Sequence, residues 1–583
     1  MADDRFDAHT PTLRDRLPWL ELFRTFRVAL DPKKLLLAAV GILVMSCGWW
    51  FFSWLFYFFW PQPVLTNYVD EVPSKTALAK RYSSKNEKEI DDLYAQRVAE
   101  KKRDYDGHAE RWLQLHMLAG SGFAEVAYSN GTTARAWGGR MRTMPWDEDR
   151  GPNPYQLVTG QVEQPWDHGR FGDWFLTTEV PVLIEPLVKF LYPIIQLLNV
   201  KNGTYTRIYL LLVLLWTLVT WALFGGMITR MASVELAGKD PVTIPEAFRF
   251  TLARYWSYLC APLVPIGLIA LIVVFSILFG LLHLIPGFGD FWSGILWPIM
   301  ILFGLGMALL LVGLVGYPLM YPTISVEGSD TLDALSRSYN YVYQSPWSYL
   351  WYCLVAIFYG AVVVFFVGFM GSLTVYLGKW AVTNTPFIES AHRKPEFLFI
   401  DTPKSFGWRP LLLKDSEGEA LARLEEEEAA LRRRGMDSAE IDRLMTLRGK
   451  ARAQAEYDEW LDTFYLTNKI GAALVGFWIT LLFMCVLGFG YSFFWTASTM
   501  IYLLMRRKVD DTDLDEVYTE ETTAYEPYAP PTTPLPVTSP PATGSPVMVE
   551  APTLRNDKAT PPANPTGEST PPAPPPPTTP PAS

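Results

Sequence analysis

Three of the six histidines share one polar stretch with many carboxylates, so metal binding is the first chemistry to consider. They are His108, His116 and His168. His108 and His116 are eight residues apart, about two helical turns, and cannot share an ion on a single helix. No HExxH or comparable ligand spacing occurs in the chain. We therefore predict no metal site in this stretch.

An acidic stretch near the C-terminus imitates the start of a calcium-binding loop. Asp511, Asp513 and Asp515 stand at alternate positions, as the first three ligands of such a loop do. Position six would then be Glu516, where the loop needs a glycine for its sharp turn. Position twelve would be Thr522, where it needs a glutamate. The sequence predicts no calcium site here.

The motifs of the common enzyme classes are absent from the sequence. It contains no GxSxG or P-loop pattern and no GxGxxG between a strand and a helix. The net charge of −10 argues against a nucleic-acid partner, which would need a basic face. Four cysteines lie within or at the ends of long apolar runs, as small hydrophobic residues do: Cys47, Cys260, Cys353 and Cys485. We predict a protein that is not an enzyme and has no catalytic residue, metal or cofactor.

A short sequence echo places tryptophan beside aspartate twice in the same polar stretch. Pro145-Trp-Asp147 and Pro165-Trp-Asp167 are each followed, three residues later, by an arginine. The pattern could form a ligand pocket, or it could anchor turns at the level of the lipid head groups. We favour anchoring.

Six uncharged apolar runs are each long enough to cross a hydrocarbon layer of about 30 Å as a helix. They cover residues 35–60, 208–229, 260–285, 294–317, 350–378 and 470–505. We therefore predict an all-α integral membrane protein with about six transmembrane helices, whose first partner is the lipid bilayer. The last run has Gly488-Phe-Gly490 near its middle, so it is one long helix or two short spans, and the lack of a polar turn favours one helix.

A seventh apolar stretch, residues 182–200, carries a stripe of polar residues. Glu185, Lys189, Gln196 and Asn199 fall on one face of a helix. Such a striped helix is typical of the membrane interface, so we predict an interfacial helix and no span here. Glu185 precedes Lys189 by one turn, which is the favourable order for an ion pair.

The lysines and arginines beside the runs determine the predicted orientation. Fifteen lie on the side that would hold both termini, whereas the short loop 286–293 on the other side has none. We predict a multi-pass protein of the bacterial cytoplasmic (inner) membrane with both termini cytoplasmic. The first apolar run starts only at Leu35, so no cleavable signal peptide is evident.

The segments between the runs complete the predicted organisation. Residues 417–434, Gly435 and the helix after Asp437 read as a helical hairpin, with leucines at near-heptad spacing that suggest a coiled coil. From Pro527 onward, 20 of 57 residues are proline, which predicts a disordered tail that is either a spacer or a ligand of proline-binding modules.

The predicted parts are a cytoplasmic tail 1–34, an extracytoplasmic segment 61–207, a core 208–378, an extracytoplasmic hairpin 379–469, and an acidic, then Pro-rich cytoplasmic tail 506–583.

A repeated pattern marks the core. Ser233-Val-Glu235 precedes Trp256-Ser-Tyr-Leu259 by 23 residues, and Ser325-Val-Glu327 precedes Trp347-Ser-Tyr-Leu350 by 22. Both copies enter the membrane from the same side, which predicts a parallel internal repeat. Several glycines of this core are expected to let its helices approach closely: Gly225, Gly226, Gly304, Gly306, Gly313 and Gly316.

The second copy also carries a resemblance. Val326-Glu-Gly328, Ala334-Leu335 and Arg337-Ser338 resemble the recurring core of uncharacterised bacterial multi-pass membrane proteins. That core is similar to the membrane domain joined to some glycerophosphoryl diester phosphodiesterases. The similarity covers roughly residues 206–380 and leaves out the phosphodiesterase domain, so it implies a bacterial membrane protein and no activity.

Three classes of function compete. An enzyme is disfavoured by the missing motifs. An uncoupled transporter, channel or lipid-handling protein is the alternative, although none of the six runs contains Asp, Glu, Lys or Arg, which coupled carriers usually bury. We predict a membrane-anchored interaction or scaffold protein whose protein partners bind the outer hairpin and the cytoplasmic tail.

Overall fold

Helices account for nearly all regular structure in the computed structural model. It describes residues 17–82, 86–119, 124–136, 141, 143–162, 164, 169, 171–199, 202–386 and 395–519. The Pro-rich tail, His168 and the second Pro-Trp-Asp sequence lie outside these residues, so the predictions made for them stay predictions.

The described residues are almost entirely helical, and six of the helices are long and apolar enough to cross a membrane, as an all-α multi-pass membrane protein requires. We number them in chain order. Span 1 is Pro32–Phe59, span 2 Thr204–Leu236, span 3 Tyr255–Gly280, span 4 Phe288–Leu314, span 5 Pro346–Thr383 and span 6 Leu466–Val509.

Span 6 is one continuous helix of 44 residues, about 66 Å long at the usual helical rise. Gly488 lies where span 6 meets span 1: a Cβ atom there would stand 2.9 Å from the carbonyl oxygen of Leu35. The Gly-Phe-Gly sequence therefore permits a close approach of two helices and makes no turn. From Phe483 to Arg506 most residues are buried, which makes this half of span 6 the centre of the bundle.

Spans 3 and 4 form a hairpin at the side of the bundle. In the most apolar 18 residues of each, only 6% are buried in span 3 and none in span 4. Such a surface is stable only where lipid replaces water around it. Of the six spans, these two therefore have the exposed apolar surface that most clearly requires surrounding lipid.

The two Ser-Val-Glu motifs meet at one end of the bundle, which we call the motif end. Ser233 Oγ donates to the carbonyl oxygen of Ser325 at 3.5 Å. Each motif glutamate pairs with a cation of a terminal span: Glu235 with the buried Lys34 of span 1, and Glu327 with Arg506 of span 6 at 2.8 Å. The predicted repeat thus joins the first and last spans to the core.

A short helix follows each motif and leads into the next span. These helices are Ile244–Ala253, which has the predicted Thr243–Glu246 capping box, and Thr331–Gln344, where the Asp330 carboxylate accepts from the Asp333 amide at 2.9 Å. That the two copies superpose by a rotation about the membrane normal stays a prediction.

The opposite end carries a polar cap, formed by the described residues of the ranges 61–169 and 384–465. Its first part contains the long helix Glu87–Ala119 and the antiparallel strands β1 (Ala124–Ala127) and β2 (Thr133–Ala136), with Val126 opposite Ala134. The remaining helices of the cap are Leu65–Asp70, Lys75–Arg81, Pro154–Val158, Pro395–Phe399, Ser405–Gly407, Trp408–Leu412, Glu419–Arg433, Ser438–Leu447 and Lys450–Asp462.

The predicted hairpin of the cap differs from expectation in its second arm. Gly435 ends its first helix with φ +75°, as expected, but a second left-handed glycine, Gly449, divides the other arm into two helices. The helix before the hairpin, Trp408–Leu412, connects the cap to the bundle, since the Trp408 indole is fully buried and donates to Ser372 Oγ of span 5 at 2.9 Å.

Two glycines of span 4 provide a test of helix packing. A Cβ atom on Gly313 would stand 2.0 Å from the Tyr339 ring, whereas one on Gly304 would meet nothing within 4 Å. We expect Gly313→Leu to lower the free energy of unfolding by about 1–3 kcal/mol through overpacking, and Gly304→Leu to be close to neutral. Thermal unfolding in detergent measures both, and equal midpoints would contradict this packing.

Candidate functional site

A turn of the polar cap carries Arg150 into the bundle. The carbonyl oxygen of Trp146 accepts from the backbone amides of Lys404 and Ser405 at 2.9 and 3.0 Å, which ties the two halves of the cap together. Asn153 then caps the helix Pro154–Val158, and its amide donates to the carbonyl oxygen of Phe406 at 2.9 Å. Arg150 lies between these two anchors, so its backbone position is fixed.

The apolar stretch predicted as an interfacial helix forms the second arm of a bent pair, Phe171–Leu183 and Glu185–Leu198, with an angle of 90° between the arms. The bent pair packs on the bundle: Leu183 contacts Gly360 of span 5, and the Phe190 ring stacks on Tyr317 at 4.6 Å. Its polar stripe runs from the buried Glu185 to the exposed Asn199. That this helix lies at a membrane interface stays a prediction.

Four charged side chains meet at this point and form the buried charge cluster: Glu148, Arg150, Glu185 and Lys189. Arg150 donates from Nε and Nη2 to the two oxygens of Glu185 at 2.9 and 3.0 Å, a bidentate pair, and it also contacts Glu148. Lys189 Nζ lies 2.9 Å from Glu148 and 2.8 Å from Glu185. Two carboxylates thus balance two cations.

One residue of span 1 and one of span 6 also contact the cluster, and their positions along these helices give its depth within the bundle. Tyr491 of span 6 donates to Glu185 at 3.2 Å, and the Lys189 ammonium lies 5.8 Å from the centre of the Trp49 ring of span 1. Trp49 is fifteen residues from Lys34, and Tyr491 is fifteen residues from Arg506. Both intervals correspond to about 22 Å of helix between the cluster and the motif end.

A cavity of about 530 Å³ extends from the cluster towards the polar cap. Besides the four clustered residues, an apolar wall borders it, formed by Trp49, Met117, Met141, Pro181, Val182 and Val188. The Met117 side chain is 49% exposed, so the cavity reaches the surface. Its volume is within the range of small-molecule sites.

A second cavity of about 660 Å³ adjoins the first within the polar cap, and both are lined by Glu148, Asp149 and Gly151. Six carboxylates and four cations line it: Asp147, Glu148, Asp149, Glu425, Glu426 and Glu428, with Lys404, Arg409, Arg432 and Lys450. Burial raises the pKa of the Glu426 carboxyl. Its Oε1 atom accepts no hydrogen bond within the described residues. Glu148 is already balanced within the buried charge cluster, and Asp149 pairs with Arg433, so four carboxylates face four cations in the rest of the lining of this upper cavity.

His108 and His116, the two histidines of the polar stretch that the structure describes, do not meet at one site. His108 accepts a hydrogen bond from the Trp60 indole at Nε2 and is bonded to Tyr68 at Nδ1. Its pKa is lowered by burial and by the nearby charge of Arg111. His116 stacks on Trp112 at 5.0 Å. Across the part of the chain that the structure describes, no group of three or more His, Cys, Asp or Glu residues could hold a metal ion.

Comparison with known proteins adds no relative: no family model, curated protein or solved structure matches the chain. The resemblance of the core to a phosphodiesterase-linked membrane domain therefore stays a prediction.

Sequence reasoning missed the buried charge cluster because none of its members lies in one of the six apolar runs. Glu185 and Lys189 were recognised as a favourable pair, and Arg150 follows the first Pro-Trp-Asp sequence. Nothing in the sequence indicated that these two signals meet, since 35 residues separate Arg150 from Glu185.

Two glutamates of the bent pair provide a matched test of the cluster. Glu185→Gln leaves Arg150 and Lys189 with too little negative charge, and we expect a loss of about 3–5 kcal/mol of stability. Glu179 is also buried, at 9% exposure, but makes no ion pair or hydrogen bond with described residues. Glu179→Gln should therefore be neutral or stabilising. Thermal unfolding compares the two, and a greater loss for Glu179→Gln would contradict the pairing scheme.

Proposed function

We propose that the polar cap faces the outside of the cytoplasmic membrane of a bacterium and that both termini face the cytoplasm. The charge asymmetry of the loops supports this orientation, since fifteen Lys and Arg residues stand on the side of the motif end. In this orientation the buried charge cluster lies in the outer half of a hydrocarbon layer of about 30 Å.

The proposed orientation is tested by two single cysteines in a cysteine-free chain. Thr446 and Thr519 are both exposed, the first in the polar cap and the second at the motif end. We expect a membrane-impermeant maleimide to label Thr446→Cys in intact cells and Thr519→Cys only after permeabilisation. Labelling of Thr519→Cys in intact cells would reverse the orientation.

We propose further that the protein binds a small solute from the outside and carries it or hands it on, without catalysis. The observation that carries this proposal is the buried charge cluster beside a cavity that reaches the surface. Ionisable groups among spans are costly and generally mark the path of a substrate or ion. The uncharged runs argued against a transporter, but the bent pair and the turn at Arg150 supply the charges that the spans lack.

The lining of the two cavities favours a cationic or zwitterionic solute with an apolar part. At the upper cavity, Glu426 Oε1 has no hydrogen-bond partner among the described residues and can receive a positively charged group. The lower cavity combines a balanced set of charges with the Trp49 ring and two methionines. A solute with both kinds of group would satisfy both surfaces, whereas an anion would gain no bond from Glu426.

The scaffold function favoured by the sequence is the second candidate. It is supported by one feature of the cap: Leu447, at the end of the helix Ser438–Leu447, is 83% exposed and available to a protein partner. Partner binding through the Pro-rich tail stays a prediction, because that tail lies beyond the described residues.

Solute binding is tested by filling the lower cavity. We propose binding and proteoliposome uptake assays with radiolabelled choline, arginine and glutamate. We expect binding or uptake of choline or arginine and none of glutamate. Val188→Trp should weaken binding at least about tenfold by occupying the cavity, because Val188 lines it and is partly exposed.

The matched control is Val158→Trp, since Val158 is 50% exposed and lines neither cavity. It should leave solute binding unchanged. Equal binding by Val188→Trp and the unmodified chain would refute the proposed site.

A further inference from the structure

The chain does not leave the bundle where span 6 ends. Residues 510–519, which we call the latch, turn back across the motif end. The turn begins at Asp511, whose φ is +53°, and Val517 is only 6% exposed. The sequence had predicted an acidic tail from residue 506, followed by a disordered Pro-rich part from Pro527, but not that the acidic part folds back on the bundle.

Basic side chains of the bundle hold the main chain of the latch. Lys239 Nζ donates to the carbonyl oxygen of Val517 at 2.9 Å, and Arg230 Nη1 donates to that of Tyr518 at 2.8 Å. The Tyr518 amide in turn donates to the carbonyl oxygen of Val326, in the second Ser-Val-Glu motif, at 2.8 Å. These bonds hold the main chain of the latch and do not involve most of its side chains.

The upstream half of the latch is held by span 6 itself. Arg506 Nη2 donates to the carbonyl oxygen of Asp513 at 3.0 Å and also bonds that of Glu516. The same guanidinium pairs with Glu327 through Nη1. Arg506 therefore connects the latch with the second Ser-Val-Glu motif.

Tyr518 is the side-chain anchor of the latch. Its ring covers Gly328, where a Cβ atom would stand 2.9 Å from the ring and where φ is +68°. The Arg254 guanidinium lies 5.1 Å from the ring centre, and the Phe250 ring lies 6.4 Å away. The Gly328 backbone, the Phe250 ring and the Arg254 guanidinium together form a contact surface that suits an aromatic side chain.

The groove and the latch carry opposite charge, which attracts them at longer range. The latch has five acidic residues, Asp510, Asp511, Asp513, Asp515 and Glu516, and all five are exposed. The groove has four cations, Arg230, Lys239, Arg254 and Arg506, which bond main-chain carbonyl oxygens. These cations come from span 2 and the short chain after it, the segment before span 3, and span 6, so one peptide bridges several elements at once.

We propose that this groove is a peptide-binding site for an acidic segment with an aromatic anchor, and that the latch is its resident intramolecular ligand. Bound there, the latch closes the motif end over the two Ser-Val-Glu motifs. The tether gives it an effective concentration in the millimolar range, so the site of the intact chain is filled. This site is separate from the solute cavity and does not depend on the proposed transport.

The first test uses two truncated chains in detergent and a fluorescent synthetic peptide of residues 510–519. We expect saturable binding to the chain that ends at Val509 and none to the chain that ends at Thr519, whose site is filled. A peptide with Tyr518→Ala should bind about tenfold more weakly, because it lacks the anchor. Equal binding of a scrambled peptide of the same charge would overturn the proposal.

The second test uses the full-length chain and remains decisive where the shorter chain does not fold. Hydrogen exchange of the Tyr518 amide, which donates to the carbonyl oxygen of Val326, should be slow in the unmodified protein and at least about tenfold faster in the Tyr518→Ala variant. Thr519→Ala is the matched control and should leave this exchange unchanged, since Thr519 is exposed. Fast exchange of the Tyr518 amide in the unmodified protein would overturn the proposal.

Discussion

The pairing of buried charges is the constraint on which this structure depends. A buried ion costs several kcal/mol unless a counter-ion and hydrogen bonds compensate it, and removal of one partner costs nearly as much again. Each main pair joins elements that are distant in the sequence. The pairs are Lys34–Glu235, Arg506–Glu327 and Arg150–Glu185. They hold spans 1 and 6 to the core and hold the bent pair to the polar cap.

The motif end and the buried charge cluster are two polar layers, and aromatic rings fill the space between them. Tyr491 stacks on Trp221 at 4.8 Å, directly below its hydrogen bond to Glu185. One helical turn further along span 6, Trp495 stacks on Tyr321 at 4.9 Å. These rings lie between the buried charge cluster and the motif end. The latch lies across the motif end.

This arrangement explains how uncharged spans can surround a charged site. Glu148 and Arg150 are presented by a turn of the cap, while Glu185 and Lys189 are presented by the bent pair. Neither segment belongs to one of the six apolar helices, so these keep the apolar surface that lipid requires. The specialised chemistry is therefore carried by inserted segments, and the spans provide the rigid frame around them.

The sequence by itself determined the six apolar helices, the capped short helix at Thr243 and the left-handed glycine after residue 434. Each follows from residues close together in the chain, through hydrophobic run length, a capping pair or a permitted φ value. It did not reveal which glycines approach a neighbour, since Gly313 and Gly304 look alike in span 4. Only the tertiary structure placed Arg150 beside Glu185 and Tyr518 on Gly328. Those contacts arise from the packing of segments that are distant in the sequence. A buried charge without a counter-ion is costly, so the fold brings a counter-ion to it from elsewhere in the chain. No local sequence pattern shows which residue will be that counter-ion.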